Sequence, residues 1–483
     1  MDFETVVLVT ADTLRYDAVA DSAREEYPFL QSLADRGVEF DGAYSTGSGT
    51  SSAFPGLLAS AYPLDHGYRG LNDEHVPVAE RLSEAGVRTV GVTSSSHVSS
   101  LFRYDRGFDV FYENPSYHPG AVDNSSLPAF ERAKRGFFDA ARSVPVIKQV
   151  GEAALDTLGS LRGDEADHPY ERADTVTDRA IRTLEAELDA YPNRRRFVWV
   201  HYMEPHAPYR PPDDVVAEAD TEDLTKEFVN EVWEKWKADR PPLWKHDDNS
   251  DRFTERERRA LEVFYRVQIR HLDREVGRLF EFLEGELDFE RTALLFSSDH
   301  GEEFFDHGDL GHRPKLHDEL VHVPLFAYSE AFDGRSVGET VSHVDIGPTC
   351  VDLLGGSAAE RWRGISLVPL LEGEPWPGHD HVLSEVCHVS GYGGDVDPEM
   401  AVVAVTTDEW RYIRNEQTDG EALYPRDAAE TEGNEMTAES GAADELRGVA
   451  ARRLSEISET GVEYDELSED LRDQLYQLGY VDE

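Results

Sequence analysis

Four short apolar runs, each ending in polar or titratable residues, recur along the chain. They cover residues 5–10, 88–93, 197–200 and 292–296. Continuous apolar runs of this length are typical of strands buried on both faces of a parallel sheet. Between them, apolar spacings of three and four predict helices, including one at 76–82, ended by Gly86, and a long one at about 254–287. The alternation predicts an α/β fold with a mostly parallel sheet flanked by helices.

This alternation ends near residue 355, and we divide the chain there. Residues 1–355 are predicted to form one large α/β domain. Short β-like runs at 382–386, 400–405 and 410–413 and a helical pattern near 442–458 follow. They predict a smaller C-terminal α+β subdomain that comprises residues 356–483.

Two segments interrupt the first domain. Residues 117–174 include the least acidic part of the chain, a basic and apolar stretch at 132–150, and are predicted as a helical insertion. It either packs on the sheet or forms a lid or surface-docking element. Residues 211–251, rich in Asp, Glu and Trp, are predicted as an irregular segment that covers the mouth of the site.

Acidic residues outnumber basic ones by 98 to 47, for a formal net charge of -51. Such a charge argues against nucleic acid as a partner. The acidity extends along the whole chain, and surface carboxylates are tolerated when molar salt shortens the Debye length to about 3 Å. We therefore expect a protein of a halophilic cell. The two cysteines, Cys350 and Cys387, are too few for a disulfide framework, so the reducing cytoplasm is the expected location.

The first apolar run lacks a basic region before it, so we interpret it as a strand rather than a signal peptide. No apolar stretch approaches the roughly 20 residues needed to span a bilayer. The sequence therefore predicts no transmembrane segment, while peripheral membrane contact stays open. Nothing in the sequence indicates the oligomeric state.

Candidate metal ligands follow two of the predicted strands. Asp12 comes after the first run, and Asp299-His300 comes after the fourth. Because ligands bind beyond the carboxyl ends of parallel strands, these side chains are expected to converge. Carboxylates favour Ca²⁺, Mg²⁺ or Mn²⁺, and a histidine shifts the preference towards Mn²⁺ or Zn²⁺.

A glycine-bearing loop at residues 47–58 turns into a helical pattern. Its amides and the helix N-terminus can bind an anion, and a hydroxyl there can be activated by a metal. Thr50, Ser51 and Ser52 are the candidates by position. The alternative is that these hydroxyls only cap the helix.

Several motifs together resemble the sulfatase family of the alkaline phosphatase superfamily. They are VLVTADTLRYD at 7–17, LLASAYP at 57–63 with His66-Gly67, FVWVHYMEPHAPY at 197–209, Leu272-Asp273 with Val276-Gly277, SDHGE at 298–302, Gly311-His312 and VPL at 323–325. The resemblance covers most of residues 3–425 and implies an alkaline-phosphatase-like fold. It also implies that Asp12, Asp299 and His300 are metal ligands and that His206 binds the non-bridging oxygens of an ester.

The resemblance extends to the leaving-group side of the site. His312 resembles a histidine found near the leaving group in related members, and Lys315 is a second candidate there. His201 is either a substrate contact or a structural histidine at a strand end. His97, after the second strand, is interpreted as a loop residue rather than part of the pocket.

The chain departs from the family at the nucleophile. Most sulfatases carry Cys or Ser that is converted to formylglycine within a C/S-x-P-x-R motif, whereas here Thr50 aligns with the nucleophile, Ser52 with the proline and Phe54 with the arginine. Threonine cannot form formylglycine but can act as an alkoxide. Ala11 replaces the first of two paired Asp residues common in sulfatases, which suggests a single-metal site.

These departures favour a metal-dependent hydrolase of phosphate esters over one of sulfate esters, acting on a small-molecule, glycan or lipid ester. Two alternatives stay open. One is a transferase that moves a phosphoryl-linked group to a glycan or lipid. The other is a non-catalytic protein that binds a glycan or lipid.

Overall fold

The computed structural model describes residues 3–65, 70–114, 169–221, 223–239, 248–389, 396–428, 430 and 441–457. The stretch 132–150 of the predicted insertion and the His66-Gly67 motif lie outside the described residues.

Eight of the described strands form a mixed sheet in the order β10-β2-β9-β6-β1-β5-β3-β4. Their bounds are β1 Thr5–Ala11, β2 Val38–Tyr44, β3 Arg88–Thr93, β4 Val110–Tyr112, β5 Arg196–Tyr202, β6 Thr292–Ser298, β9 Leu325–Tyr328 and β10 Arg335–Ser342. β9 runs antiparallel to both of its neighbours, and the other pairs are parallel. The predicted α/β fold with a mostly parallel sheet is confirmed, and all four apolar runs are strands.

Helices cover both faces of this sheet. The described α-helices up to residue 372 are Pro28–Arg36, Thr50–Ala59, Val78–Glu84, Ala173–Ala190, Asp213–Glu218, Lys226–Asp239, Glu255–Glu286, Asp318–Val321, Ile346–Leu353 and Val368–Glu372. The side chains of β1 alternate between two cores, with Val7 and Val9 in one and Val6 and Leu8 in the other, as a strand covered on both sides requires. Within the described ranges, no helix combines the length and hydropathy needed to cross a membrane.

The register of β1 with its neighbours brings chemistry to one edge. Ala11 pairs with Tyr202 of β5 and with Ser298 of β6. The residues that follow, Asp12 and Asp299, therefore emerge side by side at the carboxyl ends of two adjacent strands, as the sequence predicts.

A second, antiparallel sheet follows, built from β11 Val382–Val389, β12 Val396–Thr406, β13 Trp410–Asn415 and β14 Gly420–Pro425. The helix Gly441–Glu456 packs Ala443, Leu446 and Val449 against this sheet. Three of the strands and the helix match the predicted α+β pattern, and β14 was not predicted. The helix Val368–Glu372 lies within the predicted C-terminal subdomain, but its Leu370 and Leu371 pack into the core of the main sheet.

The prediction of an irregular segment at 211–251 was wrong. Two helices, Asp213–Glu218 and Lys226–Asp239, lie within it. In the second, Val229, Val232, Trp233 and Trp236 recur at helical spacing and are buried. Their apolar stripe is narrow among many charged residues, which is why composition alone suggested a loop.

The long predicted helix is confirmed as Glu255–Glu286, and Thr254 caps its N-terminus with Glu257 in a capping box. Asp273, buried in its middle, accepts hydrogen bonds from the amides of Phe29 (3.1 Å) and Leu30 (2.8 Å) at the start of the Pro28–Arg36 helix. One turn later, a Cβ on Gly277 would lie 3.3 Å from Phe29 Cβ. These two residues of the family motif therefore dock one helix against the other.

Replacing Asp273 by Ala is expected to lower the free energy of unfolding by about 1–3 kcal/mol, because two buried backbone N–H groups lose their acceptor. Denaturant unfolding in molar KCl measures the change. Glu281→Ala, an exposed acidic site on the same helix, is the control and should change stability by less than about 0.5 kcal/mol. Equal effects of the two substitutions would contradict the docking role of Asp273.

Candidate metal centre and active site

Asp12, Asp299 and His300 form one compact cluster. Their candidate ligand atoms all lie within 4.8 Å of one another. His300 Nε2 is 3.5 Å from Asp12 Oδ1 and 3.7 Å from Asp299 Oδ2. All three side chains are fully buried. The structure thus brings the three predicted metal ligands together.

The hydrogen bonds around the cluster suit a cation. His300 Nδ1 lies 2.8 Å from the carbonyl oxygen of Gly301. Because a carbonyl can only accept, Nδ1 carries the proton and Nε2 turns its lone pair to the carboxylates. Asp12 Oδ1 and Asp299 Oδ2 find no hydrogen-bond partner among the described residues. These two carboxylate oxygens and the imidazole nitrogen are suitable ligands for a divalent ion. The imidazole favours Mn²⁺ or Zn²⁺.

The cluster is electrostatically unfavourable without positive charge. Burial raises the pKa of Asp12 to about 8. Burial, followed by the charge of Asp12, raises the pKa of Asp299 well above its usual range. Burial lowers the pKa of His300 well below its usual range. A cation between these groups stabilises both carboxylates and the neutral imidazole, because each then becomes a ligand.

The chain bends sharply after Asp12 to deliver this carboxylate. Thr13 has a φ of 60°, a left-handed conformation that costs a residue with a Cβ about 1–2 kcal/mol. Neighbouring groups hold it there. The Thr13 amide donates to Asp299 Oδ1 at 3.2 Å, and the Tyr265 hydroxyl donates to the Thr13 carbonyl at 2.8 Å. Such strain, maintained by surrounding bonds, is typical of functional sites.

Gly301 completes the Asp-His-Gly motif for a steric reason. A Cβ at this position would lie 1.9 Å from the carbonyl oxygen of Glu319. Any larger residue would push the backbone away from that carbonyl. His300 would then move out of the cluster.

Thr50 is the candidate hydroxyl that faces the cluster. It is the first residue of the Thr50–Ala59 helix, and its Oγ1 lies 3.4 Å from Asp12 Oδ2 and 3.5 Å from His300 Nε2. Ser51 Oγ points instead to His97 Nδ1 at 3.4 Å, and Ser52 Oγ accepts the Gly49 amide at 3.2 Å. Capping therefore falls to Ser52, and Thr50 is left facing Asp12 and His300.

Phe54, at the position that aligns with the family's arginine, is an apolar wall of the site. It is fully buried and contacts His201 edge to face, with ring centroids 4.9 Å apart, and Trp199 at 5.6 Å. The ring fixes the orientation of His201. It also removes a positive charge that an arginine would bring to this wall.

Three more predicted histidines lie around the cluster. His201 Nε2 lies 3.8 Å from Asp12 Oδ2, and burial lowers the pKa of His201 to about 4. The ring of His312 lies 4.6 Å from that of His300 and 5.1 Å from that of His206. These rings share one space with Thr50 and the carboxylates.

His206 is held through its own backbone and ring. Its carbonyl accepts hydrogen bonds from the Tyr170 hydroxyl at 2.6 Å and from Gln268 Nε2 at 3.1 Å. Its Nδ1 lies 2.5 Å from the Ala207 carbonyl oxygen, which places the proton on Nδ1. Burial lowers the pKa of His206 well below its usual range. The neutral ring therefore offers Nε2 as an acceptor. To bind an unprotonated oxyanion, which can only accept a hydrogen bond, the ring would need a second proton on Nε2.

Glu302 is a site residue that the sequence analysis missed. Its Oε1 lies 3.0 Å from His312 Nδ1, and its Oε2 accepts from the Tyr209 hydroxyl at 3.2 Å. The carboxylate orients the imidazole of His312 through its Nδ1. The signal was visible as a Glu two residues after His300, but its partner depends on the loop that carries His312.

Lys315 does not join this group. Its ammonium donates to both carboxylate oxygens of Glu303, at 2.8 and 3.1 Å, and to the carbonyl of His307 at 2.8 Å. These bonds engage it as the partner of a buried carboxylate. The other predicted site residues are brought together, whereas Lys315 is bonded to Glu303 and His307, and its role in substrate binding stays a prediction.

Comparison with known proteins gives a consistent picture. A family model described as Sulfatase matches residues 4–357. Arylsulfatase K of Gallus gallus is 29% identical over 184 residues, which cover 36% of this chain and 32% of that protein, so the match spans about a third of its length. The multifunctional alkaline phosphatase superfamily protein PehA of Trinickia caryophylli is 25% identical over 426 residues, which cover 78% of each chain.

The fold is shared with solved structures as well. The phosphonate monoester hydrolase SpPMH from Silicibacter pomeroyi superposes with a TM-score of 0.66 at 18% identity, covering 94% of each chain. At that identity the likeness concerns the fold. Because the family model matches most of the chain, this protein belongs to the sulfatase family of the alkaline phosphatase superfamily.

Proposed function

We propose that the chain is a metal-dependent hydrolase of phosphorus esters that uses unmodified Thr50 as its nucleophile. The observation that carries this proposal is the position of Thr50 Oγ1, within 3.5 Å of both Asp12 and His300 at a helix N-terminus. The amides of a first helical turn have no partners within the helix and favour an anion beside the hydroxyl.

The chemistry of threonine favours phosphorus over sulfur. Hydrated formylglycine carries a second hydroxyl on the same carbon, and this hydroxyl can expel the bound sulfate. The phosphate or sulfate ester of a threonine has no such hydroxyl. Water must therefore attack the central atom directly, and phosphoryl transfer by positioned oxygen nucleophiles is well suited to this route.

Asp12, Asp299 and His300 would hold the divalent ion. When bound, the ion supplies positive charge that activates a nearby hydroxyl and neutralises a non-bridging oxygen. Thr50 Oγ1 attacks phosphorus, and its proton leaves towards Asp12 Oδ2, its acceptor at 3.4 Å. The Oγ1–P bond forms as the bond from phosphorus to the leaving oxygen breaks.

His312 serves both halves of the reaction. With Nδ1 held by Glu302 at 3.0 Å, the protonated ring gives a proton to the leaving oxygen. It then takes a proton from the water that attacks the phosphorylated Thr50, and Thr50 Oγ1 leaves as it takes back the proton held on Asp12 Oδ2. His201 and His206 line the space for the remaining oxygens, with His206 taking up a proton or binding an oxygen that carries one.

Thr50→Ala is expected to lower kcat/KM on an aryl phosphodiester by more than about 10³-fold, because the covalent route is lost. Thr50→Ser, which keeps the hydroxyl, should retain far more activity than Thr50→Ala. Ser51→Ala is the control and should stay within about tenfold of wild type. Initial rates are measured in molar KCl, the condition that the acidic composition predicts for this protein. Unchanged activity of Thr50→Ala would eliminate Thr50 as nucleophile.

Aryl phosphodiesters and phosphonate monoesters are expected to be cleaved at least about 100-fold more efficiently than the matching aryl sulfate. The comparison uses the same leaving group, so that kcat/KM reports the central atom. Mass spectrometry of the purified chain should find Thr50 unmodified. Faster turnover of the sulfate by a protein with unmodified Thr50 would contradict the preference for phosphorus.

Removal of divalent ions by a chelator is expected to abolish turnover, and added Mn²⁺ or Zn²⁺ should restore it. Asp299→Asn should not recover activity at the same ion concentration, because a ligand charge is missing. Turnover that persists after chelation, with metal absent by elemental analysis, would disprove the metal dependence.

A further inference from the structure

A second group of metal-ligating side chains lies outside the catalytic cluster. His307 lies in the turn between the short strands β7 Glu303–Phe304 and β8 Leu310–Gly311. His317 lies just before the helix Asp318–Val321, and Glu430 lies beyond the end of β14. Their candidate ligand atoms lie within 4.8 Å of one another. None of the three belongs to the catalytic cluster.

Both imidazoles converge on Glu430. His307 Nε2 lies 2.9 Å from the main-chain carbonyl oxygen of Glu430, and His317 Nδ1 lies 2.8 Å from its Oε2. The two rings are stacked, with centroids 3.6 Å apart and planes 6° apart. One candidate ligand atom from each of the three residues therefore lies within 4.8 Å of those of the other two.

The groups around this point are arranged like the outer partners of a metal site. Glu319 Oε1 lies 2.7 Å from His307 Nδ1, so a carboxylate orients the ring with Nε2 towards Glu430. This carboxylate–imidazole pairing is common behind metal-binding histidines. Arg411 Nε lies 2.6 Å from Glu430 Oε1 and leaves Oε2 to face His317.

The local charge balance favours a divalent cation. Three carboxylates and one guanidinium lie here, since Asp318 and Glu430 pair with Arg411 and Glu319 pairs with His307. With neutral imidazoles, the excess is two negative charges. One divalent ion would neutralise it.

We propose that His307, His317 and Glu430 bind a second divalent cation, for which two imidazoles and carboxyl and carbonyl oxygens make Zn²⁺ the best match. In the metal-free state a proton on His307 Nε2 bonds the Glu430 carbonyl, and the ion replaces this proton. An approach from solvent exists, because His307 and Glu430 line a cavity of about 560 Å³.

The ion would act as a clamp. Glu430 follows the last strand of the C-terminal sheet, whereas His307 and His317 flank the loop that carries His312. Binding would therefore connect the end of the C-terminal sheet to the loop that presents the proposed proton donor.

Metal content tests the proposal. Wild type, His317→Gln, Asp299→Asn and the double variant are stripped of metal, incubated with Zn²⁺ and dialysed in metal-free molar KCl. Zinc per chain is then measured by elemental analysis. We expect about two equivalents in wild type, one in each single variant and none in the double variant.

A wild-type chain that binds one equivalent, lost in Asp299→Asn and kept in His317→Gln, would overturn the second site. The opposite result, in which only His317→Gln loses an equivalent, supports the second site and contradicts the catalytic ion of the proposed function. If His317→Gln does not fold, anomalous diffraction at the zinc edge from wild-type crystals decides. A peak between His307 and His317 supports the site, and no peak there overturns it.

Discussion

The carboxylates of Asp12 and Asp299 lie side by side at the ends of two paired strands, and both are fully buried. Removing each charge from water costs several kcal/mol, and the net stability of a whole domain is only about 5–15 kcal/mol. The fold therefore tolerates these two charges only when a cation or protons compensate them. The raised pKa values of both groups express the same constraint. The left-handed backbone at Thr13, the missing Cβ at Gly301 and the tautomer of His300 all serve to keep these ligands in place.

Much of the fold could be predicted because its central strands are buried on both faces. β1, β3, β5 and β6 are continuous apolar runs, and only a few short segments of a chain have that pattern. β2 and β10 were not predicted, because charged and small residues interrupt their apolar positions and leave no continuous run. The buried stripe of the Lys226–Asp239 helix was hidden for a related reason. Its four apolar residues are correctly spaced, but the acidic composition around them suggested a loop.

Some contacts of the candidate site could be predicted from the sequence, and others could not. Parallel strands with known carboxyl ends are enough to bring Asp12 and Asp299 together, so their proximity follows from the pattern. The direction in which a loop side chain points does not follow from the sequence pattern. The pairing of His312 with Glu302, and of Lys315 with Glu303 rather than with the site, depends on how the chain turns between residues 303 and 318. The packing of Phe54 against His201 likewise depends on the angle between a helix and a strand.

The C-terminal sheet supports this site through the loop that leads to Thr50. Ser384 Oγ on β11 donates to the carbonyl of Ser45 at 2.6 Å, and the Glu385 amide donates to the carbonyl of Thr46 at 2.8 Å. Ser45 Oγ in turn donates to the carbonyl of Asp299 at 2.6 Å. The loop that ends at Thr50 is therefore held between β11 and Asp299, a candidate metal ligand. A displacement of about 1 Å can cost two orders of magnitude in rate. The second sheet therefore helps to position the proposed nucleophile, although it contributes no group to the candidate metal cluster.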